Sequence, residues 1–257
     1  MGRIALVVLL VMGITNFLLA QSEDVDQKKI EADKLYNEGN SLFKSGKYAE
    51  AASKYDEAIA LDPNDHKYLY QKGVALKNSK KLAEAIRAFK TSIDLKGDFY
   101  LSYYALGLTL YSMKNYDKAI SALQNCLQIR ENFKKAQLGL AAAYTGKAKD
   151  QVAEGQIEEA ITNLRNAVTV QMDYSPAYVL LARALNLAGR HQQAVDTARN
   201  AIKYKKKGRK GAEYFELGIA YKRLGNVREA RKAFLEARKD PTYRRNAQYE
   251  LDGLRYK

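Results

Sequence analysis

The feature that most constrains the fold of this chain is a residue pattern that returns every 34 positions. The stretch from Ala32 to Asp65 sets the pattern, with Gly46 near its middle and Pro63 near its end. Equivalent positions in the first three copies carry either a small residue or a large apolar one. They are Tyr36, Tyr70 and Tyr104; Gly39, Gly73 and Gly107; Tyr48, Leu82 and Tyr116; Ala51, Ala85 and Ala119; and Tyr55, Phe89 and Leu123. This period predicts a solenoid of helix–turn–helix repeats.

The sequence divides into six such repeats and a C-terminal helix. The predicted boundaries are 32–65, 66–99, 100–133, 134–174, 175–210 and 211–242, with a polar lead-in at 21–31 and a capping helix at 243–257. The fourth repeat has seven additional residues. They predict an extended hairpin in which both helices lengthen, or a local loop if Gly146 breaks the first helix. The tail places Ala247, Leu251 and Leu254 on one face, as a helix that covers the end of a solenoid requires.

The repeats resemble the tetratricopeptide repeat (TPR) family. Its pattern W-x2-L-G-x2-Y…A-x3-F…P is matched by LGIAYKRLGNVREARKAF at 217–234 and by Gly39, Ala51 and Tyr55 in the first repeat. The resemblance extends over 32–242. It implies an all-α fold, a right-handed superhelical solenoid of about six repeats whose first helices line a concave groove.

Close approach of neighbouring helices is predicted at the small residues of the pattern. The side chains predicted to fill the space between helices are Tyr55, Phe89, Leu123 and Leu164. Each of them contributes about 1.5–3 kcal/mol when it is fully buried. A Gly73→Leu substitution would overpack one of these contacts and cost about 1–3 kcal/mol.

The resemblance also implies which side chains face the groove and bind a peptide or protein. They are Tyr36, Asn40, Tyr70, Lys77, Tyr104, Tyr111, Arg183, Phe215 and Lys222. Tyrosines repeated at a spacing of 34 suit an extended or helical peptide, because each ring offers apolar area and a polar tip. Packing of the rings against one another, without a ligand, is the alternative interpretation.

Some TPR domains bind a C-terminal carboxylate through a basic clamp in their first three repeats. The matching positions in this chain hold Tyr36, Asn40, Gln71, Leu101 and Ala105. Only the asparagine agrees with the clamp, and its three cationic members are missing. The sequence therefore disfavours this ligand mode.

The first twenty residues have the features of an export signal. Arg3 precedes an apolar run, and Ala20 before the polar Gln21 offers a cleavage point. A cleaved signal predicts an exported protein in the periplasm of a Gram-negative-type bacterium, since a single cysteine does not suit a disulfide-rich secreted scaffold. An inner-membrane anchor formed by residues 4–20 and a buried helix are the alternatives, although the run is short for a bilayer span.

Positive charge is concentrated near the C-terminus. The formal net charge is +14, and 18 basic against 7 acidic residues lie from Arg199 to Lys257. A basic patch is predicted at Lys205, Lys206, Lys207, Arg209 and Lys210. It is interpreted either as a solvated loop or as a contact with an anionic membrane surface or envelope polymer. Nucleic acid is disfavoured by the export signal and by the lack of a nucleic-acid-reading motif.

The sequence contains no recognisable catalytic constellation. His66 and His191, the only histidines, belong to different repeats, and Cys126 takes a position where other repeats have alanine. Isolated histidines provide neither a metal site nor a catalytic triad, and no phosphate-binding glycine motif occurs. The sequence predicts no catalytic residue, no metal site and no cofactor.

Two functions fit these features. The leading hypothesis is a non-enzymatic, exported scaffold or adaptor that binds a protein or peptide partner in its groove, within a bacterial cell-envelope assembly. The alternative is a protein whose basic C-terminal surface docks to an anionic membrane or envelope polymer.

Overall fold

The computed structural model describes residues 25–254, which form helices joined by short turns, without a β-strand. Helix α1 covers 25–44. The helices that follow are α2 (Tyr48–Leu61), α3 (His66–Asn78), α4 (Leu82–Leu95), α5 (Tyr100–Ser112), α6 (Tyr116–Ile129), α7 (Lys134–Ala153), α8 (Ile157–Val170), α9 (Ser175–Leu187), α10 (His191–Tyr204), α11 (Gly211–Arg223), α12 (Val227–Arg238) and α13 (Arg244–Gly253). The predicted export signal lies outside the described residues. No helix within 25–254 is long and apolar enough to span a bilayer.

The chain forms two compact units that divide between Thr109 and Leu110, inside α5. We call the residues up to Thr109 the N-terminal unit and those from Leu110 the C-terminal unit. In each unit, helices that follow one another in the chain pack side by side, such as α3 on α4 and α11 on α12.

The turn inside a helix pair depends on one residue with a positive φ angle. Gly46 has φ +77°, and Lys80 and Lys114 adopt +65° and +59° at the equivalent places of the next two repeats. After Gly46, the amide of Lys47 donates to the carbonyl of Leu42 at 3.0 Å and closes the end of α1. Gly46 adopts this conformation without a steric penalty because it has no Cβ atom, whereas the two lysines take it at a steric cost of about 1–2 kcal/mol each.

The buried side chains agree with the predicted register. The side chains predicted to fill the space between helices are all fully buried: Tyr55, Phe89, Leu123 and Leu164. A Cβ atom at Gly73 would lie 2.6 Å from Cε1 of Phe89, and one at Gly218 would lie 2.6 Å from Cδ1 of Phe234. The close approaches predicted at these glycines are therefore present.

The additional residues of the fourth repeat all lie in its first helix. Helix α7 has 20 residues, compared with 13 in α9, whereas α8 keeps an ordinary length of 14. The prediction that both helices lengthen was wrong. Gly146 does not break α7. It lies where the helix passes close to α6, since a Cβ atom there would lie 2.6 Å from Cε1 of Tyr116.

The two ends of the described chain are helical. Residues 25–31, predicted as part of a polar lead-in, already belong to α1, since this stretch contains no proline or glycine that would stop a helix. At the other end, α13 packs on α12 and buries Ala247, Leu251 and Leu254, the face predicted for a capping helix.

Candidate functional site

Four tyrosines and one lysine of the N-terminal unit form the candidate site, which we call the tyrosine surface. They are Tyr36 on α1, Tyr70 and Lys77 on α3, and Tyr100 and Tyr104 on α5. Burial raises the pKa of Tyr70, and the neighbouring phenols of Tyr100, Tyr104 and Tyr36 raise it further. The four phenols therefore lie near one another. Lys77 follows Tyr70 by two helical turns and shares its face of α3.

Packing holds two rings of the tyrosine surface, those of Tyr36 and Tyr70. The ring of Tyr36 lies 5.7 Å from that of Tyr55 and 5.1 Å from that of Tyr68. The ring of Tyr70 meets Phe99 edge to face at 5.4 Å. The two interpretations of these rings, ligand binding and packing against other rings, are compatible. A ring that packs on one side still offers its other side and its hydroxyl group to a ligand.

Several polar groups of this surface have no partner within the described chain. Neither the hydroxyl of Tyr36 nor that of Tyr70 forms a hydrogen bond within residues 25–254, and the ammonium group of half-buried Lys77 forms no ion pair there. Burial lowers the pKa of Lys77. Asn40 is different, since its Oδ1 accepts a hydrogen bond from the Tyr55 hydroxyl at 2.8 Å. A nearby carboxylate would stabilise the charged form of Lys77.

The groove residues predicted in the C-terminal unit are engaged with their own chain. Arg183 Nε donates to Glu216 Oε1 at 2.8 Å, and Lys222 Nζ lies 2.6 Å from Glu250 Oε2. Phe215 packs between two rings, with centroid distances of 5.8 Å to Phe234 and 5.5 Å to Tyr243. Tyr111 is more exposed, and its ring lies 5.9 Å from that of Tyr116. A partner's carboxylate would have to compete with Glu216 and Glu250 for the two cations.

Two buried glutamates of α11, Glu213 and Glu216, were not predicted from the sequence. Glu216 is 4% exposed, and burial raises its pKa against the opposing charge of Arg183. Glu213 is 1% exposed, and its Oε2 has no hydrogen-bond partner among the described residues. Both lie on the buried face of α11, although a glutamate is normally solvated. Only the spacing of 33 residues between Arg183 and Glu216, close to the repeat period, could have indicated this pair.

Most of the predicted basic patch is tied to the fold. Lys205 Nζ lies 3.0 Å from Oε1 of buried Glu213, Lys206 pairs with Asp173 at 2.5 Å, and Lys210 Nζ donates to the carbonyl of Ile202 at 2.8 Å. Lys207 and Arg209 are exposed and have no ion pair within residues 25–254. The patch available to an anionic partner is therefore smaller than the sequence indicates.

The other titratable residues show structural roles. Cys126 is fully buried, as predicted from the alanines at its equivalent positions, and burial raises the pKa of its thiol to about 11. The ring of His66 meets Phe99 edge to face at 4.6 Å, and burial lowers its pKa. In the part of the chain that the structure describes, no three His, Cys, Asp or Glu side chains are grouped to hold a metal ion.

Comparison of the sequence with models of known protein families identifies the repeat. Three models of the tetratricopeptide repeat match the chain, at residues 36–98 and 145–209, at 98–173, and at 214–237. The chain belongs to the tetratricopeptide repeat family. The TPR matches run through nearly all of the region in which the pattern was recognised, so the resemblance drawn from the sequence is confirmed.

Solved TPR structures share the fold at low sequence identity. The crystal structure of MamA is 20% identical with a TM-score of 0.56, over 68% of this chain and 92% of MamA. MamA 41-end from Desulfovibrio magneticus RS-1 is 22% identical with a TM-score of 0.54, over 68% of this chain and 95% of its own. YrrB, a TPR protein with an unusual peptide-binding site, is 16% identical with a TM-score of 0.56, over 77% of this chain and 97% of YrrB. No curated protein sequence matches significantly.

These comparisons confirm the predicted all-α TPR fold. They leave the handedness of the superhelix as a prediction. At such identities the structural likeness extends to the fold alone, so the ligand has to be argued from the residues of this chain.

Proposed function

We propose that this TPR protein is a non-enzymatic scaffold that binds a peptide segment of a protein partner at the tyrosine surface. One observation carries the proposal: the hydroxyls of Tyr36 and Tyr70 and the ammonium group of Lys77 have no partner within the described chain. The rings of Tyr36 and Tyr70 are already held by packing. Rings that are fixed before binding lose little conformational entropy when a ligand arrives.

The chemistry of these groups suits a peptide. The phenol hydroxyls can donate to backbone carbonyls or accept from backbone amides, and the rings offer apolar area to a side chain. Lys77 would pair with a carboxylate of the ligand, which would relieve the cost of burying its charge. The fold is compatible with this role, since YrrB is a TPR protein with a peptide-binding site.

A variant that keeps the packing tests this surface. We expect Tyr36→Phe/Tyr70→Phe/Lys77→Gln to weaken binding of the natural partner by about tenfold or more, since each lost hydrogen bond contributes about 0.5–1.5 kcal/mol. Alanine substitutions would be less informative, because they would also remove the ring contacts of Tyr36 and Tyr70. The measurement is affinity capture from an envelope extract of the source organism, followed by titration of the identified partner.

The control for this test is Lys44→Gln, which removes a charge from an exposed lysine at the end of α1. It should bind like the wild-type protein. An unchanged dissociation constant for the triple variant, with its helical content intact, would exclude the tyrosine surface as the binding site.

We propose further that the protein works in the cell envelope after export. The apolar run before Ala20 supports this placement. Expression in a Gram-negative host should yield a periplasmic protein whose first residue is Gln21, as read by N-terminal sequencing of the fractionated protein. Recovery of the uncleaved chain in the inner membrane would favour an anchor at residues 4–20, and recovery of the uncleaved chain in the cytoplasm would contradict export.

The second candidate function, docking to an anionic membrane or envelope polymer, is supported by Lys207 and Arg209. Both side chains are exposed and unpaired within the described chain. Salt-sensitive binding to anionic vesicles that disappears in Lys207→Gln/Arg209→Gln would favour this function over the first.

A further inference from the structure

A groove between α12 and α13 has the charge and the lining of a second binding site. Its volume is about 850 Å³, within the range of ligand-binding clefts. Four cations line it, Arg238, Lys239, Arg244 and Arg245, together with the apolar Leu235 and Pro241. We call it the α12–α13 groove. It belongs to the C-terminal unit and shares no residue with the tyrosine surface.

The intramolecular contacts leave much of this positive charge available. Arg238 Nη1 donates to Gln248 Oε1 at 2.8 Å, a neutral partner that leaves the charge uncompensated. Lys239 pairs with Glu236 at 2.6 Å on the exposed surface, where such pairs contribute little. Arg244 and Arg245 are exposed and form neither a hydrogen bond nor an ion pair through their side chains within residues 25–254.

The stability of α13 does not explain the two arginines. They occupy its first turn, which contains no acidic residue, and Tyr243 provides no side-chain cap. The N-terminal end of a helix carries a partial positive charge, so cations there are unfavourable by about 0.3–1 kcal/mol each. An anionic ligand would reverse this effect, because it would be attracted by the guanidinium groups and by the helix end together.

The apolar part of the lining narrows the class of ligand. Leu235 is 39% exposed although it is a large aliphatic side chain, and Pro241 is exposed beside it. We infer that the α12–α13 groove binds an acidic peptide that carries an apolar side chain between its carboxylates. The carboxylates would pair with Arg244, Arg245 and Arg238, and the apolar side chain would cover Leu235 and Pro241.

Other anionic partners fit the groove less well. Nucleic acid would need aromatic side chains on which bases can stack, and none lines the groove. The surface potential of a bilayer attracts cations through charge and gives no reason for the apolar lining by Leu235 and Pro241. The neighbouring recess, which shares Lys239, also contains Glu236 and Asp240. These two carboxylates partly offset the charges of Arg209, Lys210 and Lys239, whereas no acidic side chain lines the α12–α13 groove.

Defined peptide probes and the protein from Gln21 to Lys257 test this inference. The probe is the acetylated hexapeptide Glu-Asp-Leu-Phe-Asp-Glu, titrated by calorimetry. A neutral counterpart, Gln-Asn-Leu-Phe-Asn-Gln, lacks its side-chain carboxylates, and a polar counterpart, Glu-Asp-Ser-Ser-Asp-Glu, lacks its apolar side chains. The test variants are Arg244→Gln/Arg245→Gln and Leu235→Ser. The control, Lys149→Gln/Arg228→Gln, removes two exposed charges of the same unit outside the groove.

We expect the acidic probe to bind the wild-type and control proteins and to lose about tenfold or more in affinity for Arg244→Gln/Arg245→Gln. Leu235→Ser and the two counterpart peptides should each weaken binding several-fold. Binding should be unchanged in Tyr36→Phe/Tyr70→Phe/Lys77→Gln, which separates this inference from the proposed function. The inference would be overturned if the acidic probe did not bind, or if it bound the wild-type protein and the groove variants equally. It would also be overturned if the protein bound phosphatidylglycerol vesicles and not the peptide.

Discussion

Replacing Lys205 with glutamine should lower the free energy of unfolding by about 3 kcal/mol. Lys205 is the charged partner of Glu213, whose carboxylate is 1% exposed. Its oxygen Oε1 otherwise receives only a long hydrogen bond of 3.4 Å from Ser175 Oγ. Without the lysine, a buried carboxylate would remain with no compensating charge, which is the costly way to break an ion pair. Urea denaturation followed by circular dichroism measures the loss.

The adjacent lysine provides a matched control. Lys206 also forms an ion pair, with Asp173, but its side chain is 75% exposed. Lys206→Gln should therefore cost less than about 1 kcal/mol. Equal stabilities of the two variants would show that the Lys205–Glu213 pair is not a buried contact of the fold.

This contrast changes how the basic patch should be tested. A variant with all five cations replaced would lose the Lys205–Glu213 pair as well as surface charge, so weaker binding to vesicles could reflect unfolding. Variants restricted to Lys207 and Arg209 avoid this effect, because both side chains are exposed and unpaired within the described chain.

Gly73→Ala should destabilise the protein by about 1–3 kcal/mol. The added methyl group would lie 2.6 Å from Cε1 of Phe89, a ring that is fully buried and cannot move into solvent. Even the smallest side chain is therefore too large, which is a stricter requirement than the sequence-based prediction for leucine. The effect should appear as a lower melting temperature with unchanged helical content in the cold.

Gly97→Ala is the control for this substitution. No heavy atom lies within 4 Å of a Cβ at Gly97, and its φ is not positive. This variant should be as stable as the wild-type protein or slightly more so. The double variant Gly73→Ala/Phe89→Leu should be destabilised by about 1 kcal/mol less than the sum of the two single variants, since the smaller side chain makes room for the methyl group. Full additivity would contradict the contact.

The fold could be predicted from the sequence because the period makes each position visible several times. Gly39, Gly73 and Gly218 recur at equivalent places, and each lies within 2.7 Å of a buried ring when a Cβ is added. The same repetition explains the burial of Cys126. Helix α7 was harder to predict, since Gly146 looks like a helix breaker until its contact with Tyr116 is known.

The candidate site could be predicted only in part. The period places Tyr36, Tyr70 and Tyr104 on the first helices of successive repeats, but it does not say which polar groups find a partner. Arg183 and Lys222 look like groove cations in the sequence, yet they pair with Glu216 and Glu250. Such pairs depend on the distance between neighbouring helices and on side-chain conformations, which a residue pattern does not specify.

The most direct test of the proposed function is photo-crosslinking from the tyrosine surface. The variant Val74→p-benzoylphenylalanine replaces a partly buried residue one helical turn from both Tyr70 and Lys77 on α3 and leaves the proposed binding groups in place. It would be irradiated with the partner, with Lys149→p-benzoylphenylalanine in the C-terminal unit as the control, and the crosslinked peptides identified by mass spectrometry. We expect the Val74 variant to crosslink one segment of the partner and the Lys149 variant to give no such product. Crosslinking from Lys149 but not from Val74 would contradict the assignment of the peptide-binding site to the tyrosine surface.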